Sequence, residues 1–315
     1  MCLGLAAALL GVLGGSATAA AAVVALGTTP EPTTVAAAHG VVAWSTFADG
    51  RYWLTASIDG TTARLPVASR GVPFDVDVGD VSGEPAITYS RCQSEPVARV
   101  PPLPRWSDGR RCRPWAYLTA SGREIRLATG VRWPRRASVA LPSAAGATVA
   151  FVLSAHRQPA RLFRVDADRR LRRMSVTRVG RTDETGGVVT EVDVDAAGRV
   201  AAIWDLIYGP HCPPVGRDVY AAKVAEVHLM TTSSDRRLAR TCATTGPRGL
   251  TGLTWDGATV SFADAGGDRL RRLAADGRSL APRALPAATF SAAVDGPATF
   301  TVVSHPGGYD VLALG

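Results

Sequence analysis

Three histidines, His156, His211 and His305, fall near Asp205, Tyr208 and Asp264 in the segments that follow apolar runs. Imidazole beside carboxylate can move a proton or hold a metal near neutral pH, so these groups define one candidate chemistry, an acid/base or metal site. The motifs that would sharpen it are missing. The chain has no GxSxG, no HExxH and no Gly-rich phosphate loop, so the nucleophile elbow, the zinc-protease helix and the nucleotide cradle all lack their residues. A second set of carboxylates, Asp75 with Asp77 and Asp193 with Asp195, alternates with apolar residues. Each pair therefore points to one side of a strand, where it is expected to line a channel and hold water or a cation. The run Asp193-Val194-Asp195-Ala196-Ala197-Gly198 opens like a calcium loop, but Ala197 replaces a ligand and Trp204 stands where the closing Glu belongs. It reads as a hairpin turn. No metal and no cofactor is expected.

Cys92, Cys112, Cys212 and Cys242 form an even set besides Cys2, with no CxxC among them. Wide spacing argues against zinc and for disulfides. Of the three pairings possible, Cys92–Cys112 and Cys212–Cys242 are favoured because each closes a local loop. Around the first pair, Trp106, Trp115 and Trp133 gather with Arg110, Arg111 and Arg113. Trp44, Trp204 and Trp255 fit core packing, whereas Trp106 is the tryptophan expected at the surface as an anchor. The candidate binding set is Trp106, Arg110, Arg111 and Arg113, with Tyr208 and His211 from a second insertion.

These residues sit on a repeat. Short apolar strands recur at residues 41–45 (VVAWS), 86–90 (AITYS), 149–154 (VAFVLS), 200–205 (VAAIWD), 260–264 (VSFAD) and 300–304 (FTVVS). Each is followed by an opening loop, another strand and a tight turn, which is the pattern of a β-propeller whose blades bury their faces against one another. Asp-Gly at 59–60 and 276–277 falls between third and fourth strands, and at 256–257 and 295–296 between first and second. These dipeptides supply the positive φ of two-residue hairpins. The expected fold is all-β: a six-bladed β-propeller with four-stranded antiparallel blades. A β-sandwich pair is the alternative that short strands and such turns also allow. The sixth repeat holds only three strands, at 288–293, 300–304 and 309–314, so an N-terminal strand within 20–27 is expected to close the ring and cover the open edge. In this layout the loops joining second to third strands open on the same face as the connections between blades. The longest such loops, 91–114 and 206–225, hold or adjoin all four disulfide candidates.

Residues 3–26 are almost wholly Ala, Leu, Gly and Val, and no Lys or Arg appears before Arg51. Residues 1–19 read as a signal peptide with small residues at 17–19 for cleavage, or as a retained N-terminal anchor, the only membrane contact expected. Residues 20–33 then supply the closing strand and a linker, and 34–315 a single propeller domain. The basic and acidic residues number 35 and 27, a formal charge of +8. Lys223 is the only lysine and Asn is absent. That bias is what a GC-rich genome produces, and basic runs such as 169–173 and 269–272 do not interleave with aromatics, so solvated outer strands are expected and nucleic acid is not. The missing Asn also excludes N-linked glycosylation.

The phrases VAWS at 42–45 with Asp59-Gly60, and RLFRVD at 161–166, resemble the TolB-like and WD40-like propeller repeats of exported bacterial proteins. The likeness covers about residues 34–315. It implies architecture, not activity, because such repeats host many functions, and the separate N-terminal domain of TolB has no counterpart in this sequence. Two functions follow as expectations. The first is a monomeric, non-catalytic, extracytoplasmic propeller that binds a protein or a cell-envelope polymer through its disulfide-braced face. The second is an exported hydrolase or lyase with a His/Asp site over the channel, which requires His156, His211 or His305 within hydrogen-bond reach of a carboxylate.

Overall fold

The computed structural model describes residues 23–95, 110–155, 158–174, 188–206, 223–243, 249–264 and 267–315. Its strands run β1 Val23–Thr29, β2 Val35–Ala38, β3 Val41–Ala48, β4 Arg51–Ile58, β5 Thr61–Arg64, β6 Asp77–Val81, β7 Glu84–Arg91 and β8 Arg113–Leu118. Next come β9 Arg123–Arg126, β10 Ser138–Ala145, β11 Thr148–Ala155, β12 Gln158–Val165, β13 Leu171–Arg173, β14 Val188–Val194, β15 Val200–Leu206 and β16 Lys223–Met230. The remainder are β17 Asp235–Ala243, β18 Leu250–Trp255, β19 Thr259–Asp264, β20 Arg269–Ala274, β21 Ser279–Ala284, β22 Thr289–Asp295, β23 Ala298–His305 and β24 Gly308–Leu314.

They form six four-stranded antiparallel sheets, five of them built from consecutive strands and the sixth ordered β1-β24-β23-β22. The N-terminal strand thus closes the ring as the missing fourth strand predicted. Val23 pairs with Leu314 and Thr29 with Tyr309, with a bulge between Ala25 and Gly27. The Asp-Gly turns fall where the sequence placed them; Asp59 and Gly60 take φ of 49° and 78°, the left-handed pair that matches the twist of a hairpin.

Each blade is too thin to own a core, so apolar burial lies between blades. Ala43, Leu54, Phe74, Ile87 and Tyr89 fill the gap between blades one and two. Trp44 with Val302 and Val311 seals blade six to blade one, Trp204 is buried between blades three and four, and Trp255 between blades four and five. All three tryptophans therefore occupy the core positions expected of them. The smallest apolar set, Ala263, Leu270, Leu285 and Ala292, joins blades five and six.

Glycine is required where inner strands nearly touch. A Cβ on Gly252 would lie 2.2 Å from the Ala292 carbonyl oxygen, and Gly252 has φ +72°. A Cβ on Gly79 would lie 2.0 Å from the Ala144 carbonyl oxygen. The inner strand of blade two starts at Asp77. Upstream, side chains take over the ladder's work: Phe74 N donates to Ser45 Oγ at 2.7 Å, and Asp75 Oδ1 accepts from Ser90 N at 2.9 Å. Such bonds satisfy the backbone without strand pairing.

Candidate functional site

The neck of the blade-two insertion is fixed by a disulfide. Cys92 and Cys112 are bonded, and beside them Gln93 N donates to Arg110 O at 3.1 Å and Arg110 N to Ser94 O at 3.0 Å. Two chain segments leaving β7 and entering β8 are thereby held as a short ladder. Cys242, on β17, is also disulfide-bonded; its expected partner Cys212 lies outside the described residues. So do Trp106, Tyr208, His211 and His156.

The three arginines that sequence grouped together are placed differently. Arg110 and Arg111 are exposed, and Arg111 Nη1 donates to Gln93 Oε1 at 3.0 Å. Arg113 turns inward, donating to the carbonyls of Cys112 at 2.7 Å and Ala137 at 2.8 Å. Its guanidinium lies 4.9 Å from the Trp133 ring centroid. Burial, with the nearby charges of Arg126 and Arg111, pulls its pKa below the usual arginine value. Arg91 similarly stacks on Trp115, at 4.9 Å, and pairs with Glu124 at 2.6 Å.

Of the histidines tied to the catalytic reading, His305 is described. Its Nε2 lies 3.5 Å from Asp310 Oδ1, with both side chains about 40% exposed. This is an open surface pair at the β23–β24 hairpin. Among the described residues no group of three or more His, Cys, Asp or Glu could hold a metal ion.

The channel carboxylates were expected to hold water or a cation; two of the four, Asp75 and Asp193, instead bind backbone of the next blade, and Glu191 does the same. Asp75 Oδ2 accepts from Leu141 N at 2.8 Å, and Asp193 Oδ2 from Trp255 N at 2.5 Å. Glu191 accepts from Leu253 N at 2.6 Å and Thr251 Oγ1 at 3.0 Å. Asp75 is also paired with buried Arg70 at 3.2 Å. Asp195 turns back on its own hairpin, accepting from Arg199 N at 2.8 Å, which makes the 193–198 run the turn that was read from it. Asp77 differs: its Oδ2 is buried and has no hydrogen-bond partner. Burial, opposed by bonds from Ser143 and Val78 and reinforced by Glu191, pushes its pKa up; burial and the Asp77 charge raise Asp193 as well.

The axis holds a cavity of about 40 Å³ lined by Asp77, Thr190 and Glu191. A second cavity, of about 490 Å³, lies at the face of the first-to-second strand turns, among Asp80, Asp195, Arg199, Asp256 and Asp295. That mouth is opposite the braced loops. Here too the acids are occupied, Asp80 by Gly146 N at 2.6 Å and Asp295 by Gly40 N at 2.6 Å.

One buried charged cluster was missed from sequence. His228 Nδ1 lies 2.7 Å from Asp235 Oδ1 and Nε2 lies 3.0 Å from Glu226 Oε2. Arg237 Nη1 adds a 2.9 Å bond to Glu226 Oε1. Burial alone would depress the His228 pKa, but bonds and charges from both carboxylates outweigh it and the net direction is up. Glu226 is held down to about 2, chiefly by its bond from His228, against burial and with help from Arg237. The signal for this cluster was Glu-x-His on one strand with an Asp just past the turn.

No family model and no curated protein matches the chain. Solved structures do. The α-L-arabinofuranosidase of family GH93 from Fusarium graminearum superposes with a TM-score of 0.51 at 11% identity, covering 92% of this chain and 96% of that one. TolB from Acinetobacter baumannii gives a TM-score of 0.44 at 14% identity over 79% of this chain and 53% of its own. A puromycin hydrolase gives 0.48 at 14%, over 90% and 51%. This chain thus spans about half the length of TolB and of that hydrolase. At these identities the likeness is one of fold.

Proposed function

We propose that this chain is an exported, non-catalytic propeller of the TolB-like, WD40-like kind, acting as a monomer and binding a protein or an envelope polymer through the loop face braced by Cys92–Cys112. The observation that carries the reading is the bonded neck at Cys92 and Cys112 with Arg110 and Arg111 exposed beside it. A disulfide that fixes the base of an insertion lowers the ordering cost of presenting it to a partner. Oxidised cysteines and the apolar segment at 3–26 support an extracytoplasmic location. The one described pair of the hydrolase reading, His305 and Asp310, is half in solvent and is not an enclosed site.

The test is crosslinking of tagged protein in its native host, followed by identification of what co-purifies from envelope and medium, with a Trp106→Ala/Arg110→Ala variant alongside. A partner captured by the parent and lost by the variant is expected. Capture that is indifferent to the variant overturns the assignment to this face, and hydrolysis of an envelope substrate by the purified protein overturns the non-catalytic role.

A further inference from the structure

The charge of the chain is not spread over it. Residues 91–136 hold eleven arginines and three carboxylates, while the rest of the chain holds twenty-four basic and twenty-four acidic residues. The formal excess of +8 therefore equals that of residues 91–136, which run from the end of β7 through the connection into blade three. Genome-wide codon bias would raise arginine everywhere and does not explain this segregation.

The fold decides which of these arginines are available. Two of the acids are consumed: Glu95 binds Arg70 Nε at 3.2 Å and Gly71 N at 2.5 Å, and Glu124 binds Arg91 at 2.6 Å and Tyr89 Oη at 2.5 Å. The third, Asp108, lies outside the described residues. Arg110, Arg111, Arg126, Arg132, Arg135 and Arg136 are all exposed. Ion pairs are formed at blades three, four and five, and among the described residues none is formed by these six arginines. Arg113 ties the set together: it feels the charges of Arg111 and Arg126, and it donates to the carbonyl of Ala137, next to Arg136.

We propose that this surface binds an anionic glycopolymer, a chain with repeated phosphate or carboxylate groups and no bases. The inference rests on the binding role given above and names its partner. Guanidinium forks match both anions in bidentate geometry. The neighbourhood also rejects the other partner classes. The large apolar side chains exposed among the described residues are Val23, Val24 and Val188, all outside this segment, so the described part of the patch shows no apolar anchor of the kind that dominates protein interfaces. Trp115 and Trp133 are half-buried and already covered by Arg91 and Arg113, which leaves no free ring for stacking nucleobases among the described residues of the patch.

The experiment titrates the purified full chain with poly(glycerol phosphate), with alginate and with duplex DNA across a salt series. It compares Arg111→Gln/Arg126→Gln/Arg136→Gln with the charge-matched Arg236→Gln/Arg269→Gln/Arg278→Gln. The parent binds poly(glycerol phosphate) or alginate, and which of the two binds assigns phosphate or carboxylate. The blade-two variant loses at least ~10-fold in affinity and its salt slope falls by about 1 per arginine removed, while the matched variant stays within ~3-fold of the parent. Equal losses in the two variants, or no binding of either polymer at low salt, overturn the inference. DNA bound more tightly than either polymer overturns it in favour of nucleic acid. A protein captured in a Trp106- and Arg110-dependent way, with neither polymer bound, removes this inference and leaves the binding role standing.

Discussion

In blade three, Arg164 and Arg172 both lie 3.0 Å from Asp166, and Arg172 reaches Asp168 at 2.5 Å. In blade two and the connection after it, Arg110, Arg126, Arg135 and Arg136 stand exposed with no such bond among the described residues. Both edges read as arginine-rich sequence. The difference is the acid spacing: RVDADRRLR at 164–172 folds into a hairpin that returns its arginines to its own aspartates, whereas the arginines at 110–113 enter β8 with no carboxylate in register. Arginine that neutralises a neighbour is part of the fold, and arginine left without one is free for a partner. Counting charge cannot separate the two; register can.

If that division is right, stability and binding should be separable by mutation, and the largest effect should come from the channel and not from either edge. Gly252→Ala is expected to cost ~3 kcal/mol or more, because the new Cβ meets the Ala292 backbone at a positive φ; urea denaturation checks it. The triple glutamine variant of blade two should leave the same midpoint within ~0.5 kcal/mol.

Breaking the neck comes next. Replacing Cys92 and Cys112 with serine reopens a loop with a sequence separation of 20 and is expected to cost about 3 kcal/mol by the chain-entropy estimate. Polymer affinity should fall with it, since the neck then orders only on binding. Denaturation and titration of the same sample measure both.

The buried charges of blade four and the channel set the pH response. His228, raised above its ordinary 6.5, stabilises fully below that value and loses its contribution as pH rises through the folded pKa. Glu226, held down to about 2, contributes above its unfolded value of 4.5 and loses that only as pH falls toward 2. Asp77, raised from 3.8 to about 7, keeps its proton in the fold while the unfolded chain releases it. Stability therefore falls as pH climbs between those values and levels off above them. Thermal melts from pH 4 to 9 should decline with rising pH; Asp77→Asn should flatten the slope below 7, and His228→Gln the slope above 6.5.

The smallest effect is the most pointed. Asp166→Asn should cost less than ~1 kcal/mol, as expected of a partly exposed pair, yet release Arg164 and Arg172 and raise affinity for an anionic polymer a few-fold. Unchanged affinity would show that unpaired arginine alone does not make a binding edge.

Much of the frame was legible in sequence because it rests on local signals. Recurring short apolar strands located the blades, Asp59-Gly60 and its kin located the turns, and a three-stranded last repeat demanded β1. The channel was not legible. Alternation showed that Asp193 and Asp195 share a side, but Asp193 accepts from Trp255 N, 62 residues away, while Asp195 folds back on Arg199. No local pattern distinguishes those ends. Arg113 was indistinguishable from Arg110 until the carbonyls of Cys112 and Ala137 were seen to claim it, and His228 looked like any strand residue until the β16–β17 hairpin brought Asp235 to it.

The most direct test is hydrogen exchange of the full chain with and without poly(glycerol phosphate). Slowed exchange across residues 110–136, with 161–173 and the turns around Asp80, Asp256 and Asp295 unchanged, is the predicted result. Protection at the wide channel mouth, or at blade three as strongly as at blade two, would contradict the account.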